Sequence, residues 1–73
     1  MSDTLSKKDI GNRLRKLRNS QYLSVRVLCD ELNITDTTYI SYERGLHLVS
    51  VSTLIKISDY FNVTTDYILT GDE

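Results

Sequence analysis

The sequence predicts one small all-α domain of five short helices, and three observations carry that prediction. The chain contains no proline, so no position is barred from a helix interior by a missing backbone N–H. Its apolar residues recur at spacings of three and four, without the sustained period-two alternation of strands. A serine or threonine stands ahead of each later apolar run, where a helix N-cap belongs. Seventy-three residues hold a single core. A chain of that length buries a modest share of its surface, so self-association is an expected aid to stability.

Ile10, Leu14 and Leu17 mark one face of a first helix over about residues 8–20. Ser24 caps a second over about 24–32, with Val27, Leu28, Cys29 and Leu32, and Asn33 suits the left-handed position that closes it. Thr35 caps a third over about 35–43, with Tyr39 and Tyr42 on its inward side and Gly45 as its stop. Asp36 in its first turn suits the helix dipole. Ser50 caps a fourth over about 50–61, carrying Leu54, Ile57 and Phe61. Thr64 caps a fifth over about 64–70, with Ile68 and Leu69 ahead of Gly71. Residues 1–7 and 71–73 are expected to be flexible ends around a domain of residues 8–70.

Composition excludes several classes of function. An apolar content of 40% with 26% charge is that of a soluble globular protein. No run of eighteen apolar residues is present, so no membrane partner is expected. The lone Cys29 cannot close an internal disulfide, in keeping with a cytoplasmic location. One histidine, His47, and one cysteine lie far apart, with no glycine-rich phosphate loop and no metal-ligand spacing. Cys29 reads as a small core residue and His47 as a surface imidazole. No catalytic residue, metal site or cofactor is expected, and the chain is read as a non-enzyme.

The net charge of −1 argues against a nucleic-acid partner, but its distribution is polarised. Residues 1–26 hold seven basic residues (Lys7, Lys8, Arg13, Arg15, Lys16, Arg18, Arg26) against two acidic ones, a net of +5. Residues 27–73 hold two basic and eight acidic residues, a net of −6. A molecule so divided can present a basic face while staying acidic overall.

The helix pair at 24–32 and 35–43, joined by a tight turn, has the form of a helix-turn-helix. Its second helix would project its N-terminal part outward, a shape the DNA major groove admits. More specific residues surround it: Ile10-Gly11-Asn12-Arg13-Leu14-Arg15-Lys16-Leu17-Arg18, Leu23-Ser24, Leu32-Asn33-Ile34-Thr35 and Tyr42-Glu43-Arg44-Gly45. Ser50, Thr53-Leu54-Ile55-Lys56-Ile57, Phe61-Asn62-Val63 and Tyr67-Ile68-Leu69 follow. Over residues 10–69 the chain resembles the Cro/C1-type (XRE) helix-turn-helix family of phage repressors, restriction-modification controllers and bacterial regulators. Glu43-Arg44-Gly45, set against Arg18, is the most specific element of the resemblance.

The resemblance implies a lambda-repressor-like fold and a repressor-type, sequence-specific transcriptional regulator. It would bind an inverted-repeat operator in double-stranded DNA as a homodimer. Asp36, Thr37, Ile40 and Ser41 become candidates for base contact, and Ser24, Arg26, Thr35, Thr38 and Arg44 for phosphate contact. Arg18 and Glu43 become a structural ion pair between helices 1 and 3. Leu46, Leu48, Val49, Tyr60, Tyr67 and Leu69 become candidates for a dimer or other protein contact. Three positions depart from the family's pattern. Val25 stands where glutamine is common, Asp36 where a polar or basic residue is, and Tyr22 where glycine is usual, which predicts a differently built turn after helix 1. The acidic balance, Asp36 and the apolar Val25, Val27, Ile40, Leu46 and Leu48 support an alternative: a protein-interaction module on the same scaffold, binding another regulator with weak or no DNA affinity.

Overall fold

The computed structural model describes residues 5–72, all of whose regular structure is helical. The helices are α1 Lys7–Ser20, α2 Val25–Leu32, α3 Asp36–Glu43, α4 Val51–Phe61 and α5 Thr65–Thr70. Helices α2 to α5 each start one residue after the hydroxyl residue read as their cap. Ser24, Thr35, Ser50 and Thr64 are extended, and each accepts a hydrogen bond from the amide three residues on. Sequence inspection missed the first cap, Ser6, which accepts from Asp9 N and starts α1 at Lys7. The flexible ends expected at 1–7 and 71–73 fall outside the described residues at 1–4 and 73. Gly71 closes α5 in the left-handed region at φ 86°.

Ile10 and Leu14 from α1, Leu28, Cys29 and Leu32 from α2, and Tyr39 and Tyr42 from α3 form one core with Leu54, Ile57 and Ile68. α1 lies against α3 and α5, while α2 packs on α3 and α4. Val27 of the predicted apolar set points outward instead, 47% exposed, because α2 offers only one stripe to the core. Gly11 lets α1 come close to α3: a Cβ there would sit 2.5 Å from the carbonyl oxygens of both Tyr42 and Glu43. Any larger residue would force the two backbones apart.

The turn after α1 holds a left-handed residue although its occupant is a tyrosine. Tyr22 has φ 56° and is 94% exposed. Tyr22 occupies the region that glycine enters without strain. The chain end beyond it is pinned by Arg18, whose NH1 donates to Leu23 O at 2.9 Å.

Long cations close three helices that have no basic residue in their own last turn. Lys56 Nζ donates to Leu32 O at 3.1 Å, at the end of α2. Arg15 NH2 donates to Glu43 O at 3.3 Å, at the end of α3. Arg13 NH1 donates to Ile68 O at 3.0 Å in α5. Each bond satisfies a carbonyl that the helix cannot and favours the negative end of its dipole.

Candidate nucleic-acid interface

The inward side of α3 is made of Tyr39, Tyr42 and Glu43, all buried. Its outward side follows from the helical period. Thr37, Thr38, Ile40 and Arg44 are exposed, and Asp36 and Ser41 are half-buried. The base-contact candidates Asp36, Thr37, Ile40 and Ser41 therefore share one face, with Arg44 one turn further on.

The hydroxyls on this helix are unequally committed. Thr35 Oγ1 accepts from Thr38 N at 3.2 Å and donates to Thr38 Oγ1 at 2.8 Å. Ser41 Oγ donates to Thr38 O at 2.7 Å. Thr37 has no such internal bond among the described residues, which leaves its donor and acceptors for a partner. Ser24, at the start of α2, accepts from Val27 N at 3.1 Å and remains exposed.

Each end of α3 carries an ion pair. Glu43 receives Arg18 in a fork, Nε to Oε2 at 2.7 Å and NH2 to Oε1 at 3.0 Å. Arg15 Nε lies 3.6 Å from the same carboxylate. Burial, the largest single influence, pushes the Glu43 carboxyl upward, but the hydrogen bonds from Arg18 together with the charges of Arg18 and Arg15 outweigh it, and the net pKa lies below the ordinary value. The Tyr39 phenol is buried beside this pair without a hydrogen-bond partner among the described residues. Burial, and next the Glu43 carboxylate, push its pKa upward. At the other end, Arg26 Nε stands 3.4 Å from Asp36 Oδ2. That pairing was not read from the sequence. Only the Glu43 pair had a motif to announce it.

The basic N-terminal half is less available than its composition suggests. Arg13, Arg15 and Arg18 all serve contacts within the fold. Lys7, Lys8, Lys16 and Arg44 are exposed, with no ion-pair partner among the described residues. The surviving positive surface is therefore a few lysines, Arg44 and the paired Arg26.

Of the six residues read as interaction candidates, Leu46, Leu48 and Tyr60 are exposed. Val49, Tyr67 and Leu69 are half-buried and pack against the core. Two stronger features went unread: Val51 and Ile55, 73% and 51% exposed, stand one turn apart on α4. Their spacing fits a core stripe as well as a surface one, so the sequence had no signal to separate them. Among the described residues no helix is long and apolar enough to cross a membrane, and no group of three metal-ligating side chains is present.

A helix-turn-helix family profile matches residues 14–68. The HTH-type transcriptional regulator ImmR of Bacillus subtilis (strain 168) is 34% identical over 64 residues, which take in 88% of this chain and 50% of ImmR. The chain spans about half the length of the curated relatives it matches. The N-terminal DNA binding domain of SinR from Bacillus subtilis superposes with a TM-score of 0.77 at 26% identity, covering 88% of this chain and 91% of that one. The P22 c2 repressor, solved in complex with a synthetic operator, superposes with a TM-score of 0.81 over 86% of this chain and 96% of that one. At 22% identity that second likeness speaks for the fold alone.

Proposed function

The chain belongs to the Cro/C1-type helix-turn-helix family of transcriptional regulators, a non-enzymatic family, and from that premise we propose that it is a cytoplasmic, repressor-type regulator that reads DNA through α3. The observation that carries the proposal is the outward face of α3, where Thr37, Ile40 and Ser41 stand together over a buried Tyr39–Tyr42–Glu43 base. Thr37 supplies an uncommitted hydroxyl for a base edge, and Ile40 an apolar surface for thymine methyl groups. Arg44 and the exposed amides at the start of α2, beside Ser24, suit phosphates. A homodimer would set two such helices about 34 Å apart, in successive major grooves of an inverted repeat. Leu46, Leu48 and Tyr60, with Val51 and Ile55, offer the apolar surface for that dimer.

The test is selection from a random double-stranded DNA library at near-physiological salt, followed by binding of variants to the enriched site. A palindromic site should emerge. Thr37→Ala and Ser41→Ala should relax its sequence, whereas Arg44→Ala should weaken binding to all DNA and flatten its salt dependence. Absence of any enriched palindrome would count against the proposal. It would favour the interaction-module reading, which the exposure of Val27 and Ile40 and the internal use of three arginines support.

A further inference from the structure

Docking α3 on DNA leaves one of its residues unexplained. Asp36, the first residue of the helix, would bring a carboxylate toward a polyanion. Its counter-charge comes from the neighbouring helix: Arg26 Nε, 3.4 Å from Asp36 Oδ2. We propose that Asp36 and Arg26 form one composite reader, in which Arg26 neutralises and aims the Asp36 carboxylate so that Oδ1 accepts a hydrogen bond from the N4 amine of a cytosine. This inference rests on the DNA-docking reading above and assigns part of its specificity.

The geometry supplies both halves of the unit. An ionised carboxylate has four lone-pair directions, and the closest approach of Arg26 is to Oδ2. Asp36 stays 39% exposed, so its other oxygen can still meet a partner. Arg26 is itself 77% exposed.

The chemistry of base edges selects the ligand. A carboxylate accepts and cannot donate, so in the major groove it suits cytosine N4 and is opposed by the acceptors of guanine. A bare carboxylate would also be repelled by the phosphates on either side. Arg26 removes that penalty, which makes an acid tolerable at the groove. An exposed pair of this kind adds little to folding, so its removal should change recognition rather than the fold. Arg26 is here a positioning residue for Asp36, in addition to any phosphate it meets.

The experiment is library selection with the full chain and with Asp36→Ala, Arg26→Ala, Arg26→Lys and the double alanine variant, each checked by thermal melting. The wild type should enrich a cytosine at one position of each half-site. Asp36→Ala should lose about tenfold of that preference and leave the other positions unchanged. Arg26→Ala should relax the same position, the double variant should go no further, and Arg26→Lys should restore part of the preference. All four should still fold and melt cooperatively, the variants lacking Asp36 at a modestly lower temperature. The inference is overturned if Arg26→Ala lowers affinity for every site equally while the cytosine preference stays, since Arg26 would then be a phosphate contact alone. It is equally overturned if Asp36→Ala only tightens binding to all DNA. A wild type that enriches no site would instead remove the docking reading on which the inference rests.

Discussion

The two ends of α3 are held by the same chemistry in opposite surroundings. At the C-terminal end Glu43 meets Arg18 in a two-bond fork, with side-chain exposures of 7% and 16%. At the N-terminal end Asp36 meets Arg26 through one 3.4 Å approach, with exposures of 39% and 77%. Burial reverses what the pairs are worth. Inside, both charges have given up water and depend on each other, so losing either strands its partner. At the rim, water replaces a lost partner at small cost. α3 is therefore anchored at one end and adjustable at the other.

The largest effect expected from this contrast is at the buried end. Arg18→Ala or Glu43→Ala should lower the free energy of unfolding by about 3–5 kcal/mol, read from urea or guanidinium midpoints. A loss below 1 kcal/mol would erase the distinction between the two pairs. Acid should attack the same end. Because the folded Glu43 pKa lies below its ordinary value, the pair's stabilisation is present above the unfolded carboxylate value of about 4.3. It is lost as pH falls below that value and through the lowered folded one. Glu43→Gln should flatten the acid limb of a stability-against-pH profile. A limb identical to wild type would assign acid sensitivity to other carboxylates.

The same contrast explains what the sequence revealed. Helices, caps and core followed from periods and local chemistry: Ser24, Thr35, Ser50 and Thr64 each sit where a hydroxyl before an apolar run must cap. Arg18 with Glu43 was legible only through the family resemblance, whose Glu43-Arg44-Gly45 motif set against Arg18 implied the pair. Arg26 with Asp36 was not, since exposed charges tolerate many arrangements and leave no spacing rule. The use of Arg13, Arg15 and Lys56 on helix-end carbonyls was likewise invisible, because it depends on which helix ends the fold brings near. Composition counted those arginines toward a basic face that the fold partly consumes. Val51 and Ile55 were missed for a related reason, as period alone does not say which side of α4 is covered.

A smaller effect is expected at Tyr22, beside the carbonyl that Arg18 holds. An L-residue in the left-handed region costs about 1–2 kcal/mol, and glycine loses about 0.5–1 kcal/mol through chain entropy. Tyr22 makes little compensating contact at 94% exposure. Tyr22→Gly should therefore raise stability by about 0.5–1 kcal/mol, measured as a higher denaturant midpoint with unchanged slope. Such a gain would show that the buried fork holds its turn against local strain. A loss would mean that the tyrosine ring stabilises the turn in some other way.

The smallest effect separates the rim pair from its surroundings. Arg26→Ala should cost about 0.2–1 kcal/mol of stability. Asp36→Ala should cost somewhat more, because Asp36 also sits at the positive end of the α3 dipole, a contribution of about 0.3–1 kcal/mol. Comparing single variants would therefore overstate the pair, and a double-mutant cycle is needed to remove the dipole share. The coupling should stay under about 1 kcal/mol and shrink as salt rises, since the Debye length falls from about 10 Å at 0.1 M to about 3 Å at 1 M. By contrast, Arg18 with Glu43 should keep its coupling in salt, shielded by burial. A rim coupling as large and as salt-resistant as the buried one would make both ends of α3 structural. The N-terminal end would then have no slack with which to adjust to a base edge.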